Sequence, residues 1–470
     1  MLEGLEISEV KFSYVRLNDI FRIDSNYFQK IFLQQEQRVL KTNSNRLIDL
    51  GCDLKSFGAY SLNNYVEYLE EGVPFVRGIN LKNGRISFNN VIYISNEAHK
   101  LLWKSEVRPK TILLSMSGTI GDVAIASESL KYPINSNQDI AKITCNENLN
   151  PYYLYAFLTS YFGQNYLKRE ARGSVQQHVF LSQIEKFNIP EFSDIFYNTI
   201  ENVVKSADLS DSKSQQCYLN AEQTLLEAVG LAEFKPSEQN TNIKTFAQSF
   251  GTSGRLDAEY YQPKYEDYLK LIFDYKDGWA KLAEICTLKD ANFNPTNETN
   301  YQYIELSDID KSGGISGCTK DIGENLPSRA RRFVNAGDVV VSSIEGSLSS
   351  CALVPTEYDN SLCSTGFYVI KSQEISSETL LVLMKSELMQ NILKQSCSGT
   401  ILTAMNKDEF SNLPIPKIDL TTQTNISQLV QQSFSLKAQS EHLLSVAKRA
   451  VEIAIEQDEA AAMHFIENSQ

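Results

Sequence analysis

The sequence predicts an α+β protein made of two mixed α/β domains in tandem repeat, together with two long helices. Three observations support this fold class. A motif near the start of the chain returns past its midpoint, two long stretches favour helix, and short strand-like runs alternate with turn residues in each half. Periodicity of apolar residues is the primary secondary-structure signal in a single sequence.

The repeated motif indicates a duplication. Arg22-Ile-Asp-Ser-Asn-Tyr-Phe28 returns as Arg255-Leu-Asp-Ala-Glu-Tyr-Tyr261, and Val10-Lys11 and Ile243-Lys244 begin at the same distance before each arginine. One repeat therefore spans about half of the chain, whereas solenoid repeats have periods of roughly 20–50 residues. The sequence predicts two copies of one domain rather than a repeat array.

The first half of the chain has the pattern of a strand-rich domain that ends in a helix. Residues 74–76, 91–94, 111–115 and 140–144 are β-prone and are separated by Gly, Asn and Pro. Between them lies a loop of small residues, Ser117-Gly-Thr-Ile-Gly-Asp122. A helix is expected from Pro151 to about Lys168, because Asn150 suits the N-cap and proline suits the first turn.

The second half repeats this order. Residues 303–306, 338–342 and 367–370 predict strands, Glu345-Gly-Ser-Leu-Ser349 replaces the small-residue loop, and residues 377–394 predict the helix. Each half then closes on a glycine turn followed by an Ile-Pro strand. These are Gly173-Ser-Val-Gln-Gln-His178 before residues 187–190, and Gly399-Thr-Ile-Leu-Thr-Ala404 before residues 413–416.

In each half, one short helix is expected between the glycine turn and the Ile-Pro strand. Ser182 with Glu185 and Asn406 with Glu409 have the spacing of a capping box. The two boxes are out of register by two residues, which predicts different helix starts. The polar stretch 236–254, with its proline and glycines, is expected to be a linker.

Two long helices are predicted from stretches in which apolar or small residues recur at steps of four and three. The seam of the central helix consists of Phe196, Ile200, Val203, Ala207, Cys217, Ala221, Thr224 and Ala228. The seam of the second consists of Ile426, Leu429, Leu436, Leu443, Ala447, Ala450 and Ala454. Residues 208–214 are polar and are expected to weaken the first seam. The seams alone leave two readings open: the helices pair with each other, or each packs on its own domain.

Composition limits the possible functions. The net charge of −14 argues against a freely basic nucleic-acid binder but permits local basic patches. The 8 cysteines form no CxxC pair and the 4 histidines no HExxH motif, so we expect buried apolar cysteines rather than zinc or disulfides. No apolar run approaches the ~20 residues of a membrane helix, and the first residues lack the regions of a signal peptide. A cytoplasmic protein is therefore expected.

The motifs of several enzyme classes are missing from the sequence. Gly313-Gly-Ile-Ser-Gly-Cys-Thr-Lys320 lacks the Lys-Ser/Thr ending of a phosphate-binding loop. There is no GxGxxG after a strand, no GxSxG, and no Asn/Asp-Pro-Pro-aromatic motif of amino-methyltransferases. We therefore expect no catalytic residues.

The polar turns suggest nucleic-acid recognition. The turn that begins at Gly173 follows Lys168, Arg169 and Arg172. Glutamine can bind adenine through two hydrogen bonds, and arginine can bind guanine or phosphate. The same turn is equally typical of a helix that ends on a glycine cap in a solvated basic loop.

Taken together, these features resemble a type I restriction–modification DNA specificity (S) subunit. The resemblance rests on the Arg-x-Asp-x-x-Tyr-aromatic opening at 22–28, the Ser-x-Ser-Gly-Thr-Ile-Gly loop at 115–121, the glycine turn and Ile-Pro strand within 173–190, and the closing helix at 450–456. The second half departs from this pattern. Residues 345–350 lack the second glycine of the loop and residues 399–403 lack glutamine, as two domains that read different half-sites would.

The resemblance implies a non-catalytic recognition subunit with target-recognition domains at 1–190 and 255–416, each of which binds half of a split DNA sequence. It implies that helices at 191–235 and 417–457 pair antiparallel like a coiled coil, set the gap between the half-sites and dock partner subunits. Residues 236–254 would be a linker and residues 458–470 an acidic tail.

The partners implied are double-stranded DNA, two methyltransferase (M) subunits and a restriction (R) subunit, with no membrane. No cofactor or metal is expected on this chain. S-adenosylmethionine would belong to the methyltransferase subunit, and ATP with Mg²⁺ to the restriction subunit.

The predicted DNA-contacting residues are polar and lie in or beside the matched turns. They are Arg77, Ser117, Thr119, Asn137, Gln138, Arg172, Ser174, Gln176, Gln177 and His178 in the first half, and Ser343, Glu345, Ser347, Thr365, Ser398, Thr400 and Thr403 in the second. Glu345 could accept a hydrogen bond from a cytosine amino group. Two alternatives remain at this stage: a non-enzymatic scaffold with duplicated protein-binding domains, and a nuclease or methylase with an unrecognised motif.

Overall fold

The computed structural model describes residues 8–16, 22–56, 66–88, 90–173, 177–310, 312–399 and 403–469. The chain forms two compact units. Unit 1 comprises Met1–Asp211 and Ala438–Gln470, and unit 2 comprises Ser212–Lys437. Each unit therefore contains one α/β domain and half of each long helix.

The domain of unit 1 is built mainly on two sheets. Its strands are β1 (Ser44–Arg46), β2 (Asp53–Lys55), β3 (Val73–Val76), β4 (Leu81–Lys82), β5 (Arg85–Ile86), β6 (Ile92–Ile94), β7 (Glu106–Val107), β8 (Ile112–Ser115), β9 (Val123–Ile125), β10 (Ile134–Ser136), β11 (Ile140–Thr144) and β12 (Asn188–Pro190). Among the described strands, β2-β11-β8-β9 form an antiparallel sheet, and β6-β3-β10-β7 form a mixed sheet in which β3 and β10 are parallel. The pairs β1-β12 and β4-β5 complete the domain.

Alternate residues of the antiparallel sheet enter two different cores, as the two-residue period of a strand requires. Ile112 and Leu114 face the larger core, which also contains the helices. Leu113, between them, faces a smaller core that lies between the two sheets. Both faces of β8 are buried, which explains its uninterrupted apolar sequence.

The helices of this part of the chain correct the predicted helix 151–168. They are α1 (Phe12–Val15), α2 (Lys30–Lys41), α3 (Asn96–Leu101), α4 (Pro151–Thr159), α5 (Tyr161–Glu170), α6 (Leu181–Ile184) and α7 (Asp194–Ala228). Asn150 caps α4 as expected, since its side chain accepts hydrogen bonds from the amides of Tyr152 and Tyr153. Ser160 then ends α4 and caps α5. A Cβ at Gly163 would lie 2.3 Å from the Phe157 carbonyl oxygen, so this tight junction requires glycine.

The domain of unit 2 has the same plan. Its strands are β13 (Trp279–Lys281), β14 (Cys286–Lys289), β15 (Asn300–Ile304), β16 (Thr319–Ile322), β17 (Ala330–Val334), β18 (Val339–Ser342), β19 (Cys351–Leu353), β20 (Ser361–Ser364), β21 (Phe367–Ser372), β22 (Cys397–Ser398), β23 (Ala404–Met405) and β24 (Pro414–Pro416). The antiparallel sheet β14-β21-β18-β19 corresponds to β2-β11-β8-β9. The mixed sheet β16-β15-β20-β17, with β15 parallel to β20, corresponds to β6-β3-β10-β7.

The remaining helices are α8 (Phe250–Ser253), α9 (Pro263–Phe273), α10 (Leu282–Ile285), α11 (Ser377–Lys385), α12 (Glu387–Ser396), α13 (Lys407–Ser411), α14 (Leu420–Glu456) and α15 (Glu459–Ser469). They include counterparts of α2, α4, α5, α6 and α7, which are α9, α11, α12, α13 and α14. The helix predicted at 377–394 is therefore two helices, with Ser386 capping the second as Ser160 does in unit 1. The prediction of a mixed α/β fold in two similar tandem domains, with two long helices, is confirmed.

The capping box predicted at Ser182 is wrong. Phe180 precedes α6, and its amide donates to the side chain of Gln183. Asn406 caps α13 as predicted, accepting from the Glu409 amide at 2.9 Å. Phe180 and Asn406 follow their turn glycines at the same spacing, so the two short helices begin in register after all.

The long helices pack against each other within each unit. In unit 1, the Ser440 hydroxyl of α14 donates to the Ala207 carbonyl of α7, and the amide of Ser193, just before α7, donates to Glu459 of α15. In unit 2, the Ser214 hydroxyl donates to the Ser433 carbonyl at 2.8 Å. Chain positions that rise along α7 meet positions that fall along the C-terminal segment, so the pairing is antiparallel.

The polar middle of α7 is packed, contrary to the expectation that it weakens the seam. Ser210 and Ser214 are only 8% and 4% exposed. Beyond this point the buried line shifts to Tyr218, Ala221 and Leu225, so the predicted seam positions Cys217, Thr224 and Ala228 are half-buried. Small hydroxylated residues let two helices approach closely while their hydroxyls bind backbone carbonyls of the partner helix.

The described residues also show the nature of the helices, the burial of the cysteines and the structure of the acidic end of the chain. None of the described helices is long and apolar enough to cross a membrane. Five cysteines are buried, in line with the expectation of apolar packing: Cys52, Cys286, Cys351, Cys363 and Cys397. The acidic end of the chain forms α15, in which Ala462 and Ile466 are buried.

Candidate nucleic-acid interface

Four segments that are separate in sequence meet at one end of the unit 1 sheets. The Met116 amide, just after β8, donates to the Asp139 carbonyl at 2.7 Å, and the Val179 amide donates to the Met116 carbonyl at 2.9 Å. The Asn137 amide donates to the Val76 carbonyl at 2.9 Å. These backbone bonds join the small-residue loop, the β10–β11 turn, the glycine turn and the end of β3 into one loop cluster.

The small-residue loop is fixed by its glycines, by a hydrogen bond within the loop and by a hydrogen bond from α5. Gly118 and Gly121 have positive φ angles of +73° and +97°, which favour glycine. The Ser115 hydroxyl donates to the Ser117 carbonyl, and Gln164 of α5 donates to the Gly121 carbonyl at 2.8 Å. Thr119 is exposed at the tip. The loop therefore presents small polar groups on a fixed backbone.

The loop ends at Asp122, whose carboxyl group is partly buried. Burial raises the pKa of Asp122 above its ordinary value, and a hydrogen bond from Thr119 opposes that shift. The shift shows that the base of the loop is partly withdrawn from solvent even though its tip is exposed.

Arg172 and His178, on either side of the glycine turn of unit 1, pair as in a hairpin. The Arg172 and His178 amides each donate to the other residue's carbonyl, at 3.0 and 2.7 Å. Gln177 is exposed, and the His178 ring lies 4.6 Å from the Phe180 ring. Ser174 and Gln176, both predicted contacts, lie outside the described residues.

A basic groove lies beside this hairpin. Its volume is about 700 Å³, and its lining includes Arg22, Lys168, Arg172 and Gln177. Lys168 is exposed, whereas Arg172 is half-buried with one guanidinium nitrogen 3.9 Å from Glu170. A groove with cationic side chains next to a polar hairpin suits a phosphate backbone, despite the negative charge of the whole chain.

The remaining predicted residues of unit 1 lie in the same loop cluster. The Arg77 amide donates to the Asn80 side chain at 3.0 Å, and its guanidinium donates to the Asn90 carbonyl at 3.0 Å. The Asn137 side chain donates to Asp139 at 3.1 Å. Arg77, Asn137 and Gln138 are all half-buried.

Unit 2 gathers the corresponding segments with the same hydrogen bonds. The Ser343 amide donates to the Gly366 carbonyl at 2.9 Å, and the Met405 amide donates to the Ser343 carbonyl at 2.8 Å. The Glu345 amide donates to the Thr403 carbonyl at 3.0 Å. Gln390 donates to the Leu348 carbonyl at 3.1 Å, as Gln164 does to Gly121. The loop thus keeps its anchor although a leucine replaces the second glycine.

The predicted residues of unit 2 divide by exposure. Ser343 and Ser347 bind within the loop, since their hydroxyls contact the Gly366 carbonyl and the Ser342 hydroxyl, each at 2.9 Å. Thr365 and Ser398 are exposed, and Glu345 and Thr403 are half-buried. Thr400 lies outside the described residues.

The repeated Arg-x-Asp motif has a structural role in both units. Arg22 binds Asp24 at 2.8 Å, stacks on Tyr27 with 4.5 Å between the guanidinium carbon and the ring centre, and donates to the Arg169 carbonyl at 2.9 Å. Arg255 does the same with Asp257, Tyr260 and the Cys397 carbonyl, the last at 2.8 Å. Both arginines satisfy free carbonyls where a helix ends, just before the glycine turn. The guanidinium holds the pKa of Asp24 below its ordinary value.

One position in the loop cluster was missed by the sequence analysis. Glu305 follows β15 as Arg77 follows β3, at the entrance to the same kind of turn. Alignment of Phe75-Val-Arg77 with Tyr303-Ile-Glu305 would have found it, but the residues on either side differ too much between the two halves to fix that alignment from sequence.

The clustered groups are hydroxyls, amides, guanidinium groups and carboxylates, which recognise polar edges through hydrogen bonds. Within the described ranges, no group of three or more His, Cys, Asp or Glu side chains could hold a metal ion. The same arrangement occurs in each unit with different side chains.

Comparison with known proteins agrees with this class of site. Residues 9–190 match the family model described as Type I restriction modification DNA specificity domain. Over 123 residues the chain is 23% identical to the specificity subunit of the Escherichia coli type I restriction enzyme EcoBI, and the matched stretch covers 26% of this chain and 26% of that one. The match thus spans about a quarter of the length of this curated relative.

Two solved structures are similar over most of the chain. One is the S subunit of a type I restriction-modification system from M. genitalium, with 13% identity, a TM-score of 0.38, and coverage of 91% of this chain and 94% of that one. The other is the HsdS subunit from Thermoanaerobacter tengcongensis, with 12% identity, a TM-score of 0.29, and coverage of 88% and 97%.

Residues 9–190 are therefore similar to the DNA specificity domain of type I restriction–modification systems. The resemblance of the chain to type I specificity subunits, first inferred from its motifs, is confirmed.

Proposed function

We propose that this chain is the DNA-binding specificity subunit of a type I restriction–modification complex. Each unit reads one half of a bipartite duplex target, and the chain directs methyltransferase and restriction subunits to that target. The observation that carries the proposal is the repeated loop cluster. The same backbone hydrogen bonds assemble it in both units, while the side chains that it presents differ.

Duplication with divergence is the arrangement that a split target requires. A conserved backbone places each loop cluster at the same place in its domain, and changed side chains alter which base edges can be bound. Glutamine and arginine beside the first hairpin suit adenine, guanine and phosphate, whereas the second unit presents hydroxyls and carboxylates. The two halves of the target are thus expected to differ in sequence.

The chain is proposed to be non-catalytic. Its polar clusters contain no motif for binding S-adenosylmethionine or ATP, so these cofactors are assigned to the methyltransferase and restriction subunits. The paired helices, α7 and α14, are proposed to fix the gap between the half-sites and to provide the docking surface for two methyltransferase subunits.

Two measurements test the proposal. Binding of the purified chain to duplex DNA should weaken linearly with the logarithm of salt concentration, with a slope of about −0.9 per phosphate neutralised. The chain alone should transfer no methyl group, and activity should appear when a cognate methyltransferase subunit and S-adenosylmethionine are added.

A scaffold that binds only proteins would show no salt-dependent affinity for DNA. Methyl transfer by the chain alone, shown to be free of contaminating enzyme, would contradict the assignment of catalysis to a partner.

A further inference from the structure

Arg77 and Glu305 occupy the same position in the two copies of the domain. In unit 1, Phe75 pairs with Asn135 and Val76 with Ser136 in a parallel register. In unit 2, Tyr303 pairs with Leu362 and Ile304 with Cys363, also in parallel. The residue that leaves the strand next is Arg77 in one copy and Glu305 in the other.

The turns that follow these two residues have the same hydrogen bonds. The Arg77 amide donates to the Asn80 side chain at 3.0 Å, and the Glu305 amide donates to the Asp308 side chain at 2.9 Å. The Asn80 and Asp308 amides return the bond to the carbonyls of Arg77 and Glu305, at 2.8 and 3.0 Å. The backbone therefore fixes both residues in one conformation, and only the side chain has changed.

Each turn touches the loop cluster of its own unit: the unit 1 turn contacts the small-residue loop, and the unit 2 turn contacts the turn between β20 and β21. A Cβ on Gly78 would lie 3.1 Å from the Ser115 hydroxyl and 3.6 Å from the Thr119 hydroxyl. In unit 2, a Cβ on Gly366 would lie 3.4 Å from Ile344 and 3.7 Å from Leu306, the residue after Glu305. Position 77 and position 305 are thus part of the loop cluster and not of a remote surface.

The Glu305 side chain is half-buried, and the hydrogen bond described for its carboxylate comes from a hydroxyl. Its hydrogen-bond donor is the Ser307 hydroxyl, at 2.8 Å. None of the ion pairs found among the described residues of unit 2 includes Glu305, which is half-buried. Burial raises the pKa of the neighbouring Asp308, and Glu305 adds to that rise.

A carboxylate at a DNA surface has few favourable partners. It is repelled by phosphates and by the acceptor atoms of guanine and thymine, and it can only accept hydrogen bonds. Cytosine presents an amino donor in the major groove without a neighbouring acceptor, whereas adenine presents its donor beside an acceptor. Arginine has the opposite preference and binds the two acceptors of guanine.

We infer that Glu305 is a specificity-determining residue of unit 2 that reads a cytosine amino group at the position where Arg77, its counterpart in unit 1, reads guanine. This inference rests on the proposed function and adds to it one residue and the base that it selects. The duplicated turn then acts as a single reading position whose base preference is set by the charge of one side chain.

The test maps adenine methylation in cells that carry the full chain with its partner subunits. Four chains are compared with the unaltered one: Glu305→Gln, Glu305→Arg, Arg77→Gln, and the control Glu324→Gln, which alters an exposed carboxylate of unit 2. Glu305→Gln should reduce discrimination at one position of one half-site by roughly 10- to 100-fold. Glu305→Arg should replace cytosine by guanine there. Arg77→Gln should relax one position in the other half-site, and the control should change nothing.

The half-site that belongs to unit 1 serves as an internal measure of folding and assembly. If either Glu305 variant keeps the original motif, or if the whole second half-site loses definition together with thermal stability, the inference is overturned while a bipartite motif still supports the proposed function. If the unaltered chain yields no methylated motif, the proposed function fails and the inference fails with it.

Discussion

A matched deletion in the two long helices would test whether they set the spacing of the target. The deletion removes residues 208–214 from α7 and residues 433–439 from α14. These segments face each other, since Ala207 bonds Ser440 on one side of the cut and the last deleted residue of α7, Ser214, bonds the first deleted residue of α14, Ser433. Seven residues keep the phase of a seam that repeats every 3.5 residues on average.

The expected change follows from helix geometry. Seven residues at about 1.5 Å each shorten the helices by roughly 10 Å. Duplex DNA rises about 3.4 Å per base pair, so the gap between half-sites should shrink by about three base pairs. The duplex also rotates by about a third of a turn over that distance, at ~10.5 base pairs per turn. Lower activity is therefore expected along with the shorter gap.

The cut also removes contacts that the structure shows in the polar middle. Asp211, whose carboxylate lies 3.7 Å from the Arg85 guanidinium, is lost. The two side chains are only 19% and 21% exposed, so losing this pair costs more than the roughly 1 kcal/mol or less of a fully exposed ion pair. The variant should therefore be somewhat less stable but folded, and circular dichroism with thermal melting provides the check.

Methylation mapping provides the assay. Both half-sites should be unchanged and only the unread gap should shorten. An active variant whose methylated sites keep the original gap would refute the idea that the helices measure DNA, and would leave them a packing role only. A cut in α7 alone serves as a control, because it leaves α14 without its facing heptad and should destabilise the pair.

Three further predictions concern specificity and pH. Replacing Gln176 and Gln177 by Ala should lower base discrimination in one half-site by about 1–3 kcal/mol per lost bidentate contact. Methylation mapping is the measurement, and relaxation of both half-sites would show that the units do not read DNA independently. Burial lowers the pKa of Lys142 to about 7 from an ordinary 10.5, so the stability lost by burying its charge is full below pH 7, almost full at pH 7, and recovers towards pH 10. Lys142 pairs with Leu113 of β8 as the apolar Val369 pairs with Val340 of β18. Lys142→Met should therefore stabilise the chain by about 3 kcal/mol more at pH 7 than at pH 10. Burial raises the pKa of Asp208 to about 6 from 3.8, so its protonated form favours folding below about pH 4 and that advantage is lost as the pH rises through 6. Asp208→Asn should therefore stabilise unit 1 by roughly 1–3 kcal/mol at pH 7.5 and hardly at pH 4. Urea unfolding at the two pH values is the measurement, and equal effects at both would contradict the assignment.

The predictable part of the fold was local. Strands such as 111–115 and 338–342 were found because both faces of a buried strand are apolar, and Asn150 was found because an N-cap needs only its own neighbours. The single helices predicted at 151–168 and 377–394 were wrong, since serines 160 and 386 break them. Their helical propensity gives little warning, because the break depends on packing of the next turn against the sheet.

The candidate site was predictable in its segments but not in its assembly. The glycine turns and small-residue loops could be named because their residue types are unusual. Which hydroxyls point outward could not, because Ser343 and Ser347 are used to brace the loop itself. Glu305 escaped notice because its equivalence with Arg77 depends on strand register, which is a property of pairing across the sheet.

The sequence by itself determined the duplication, the two long helices and the resemblance to type I specificity subunits, because these depend on repeated motifs and on periodicity along the chain. Tertiary structure decided the rest. The buried serines of α7 and α14 show that a polar stretch can be a close helix contact, since the hydroxyls of Ser214 and Ser440 each donate to a backbone carbonyl of the partner helix. The loop clusters exist only because backbone hydrogen bonds join segments that lie about sixty residues apart, such as Met116 and Val179. Contacts at that distance are selected by the folded core as a whole, and no local pattern specifies them.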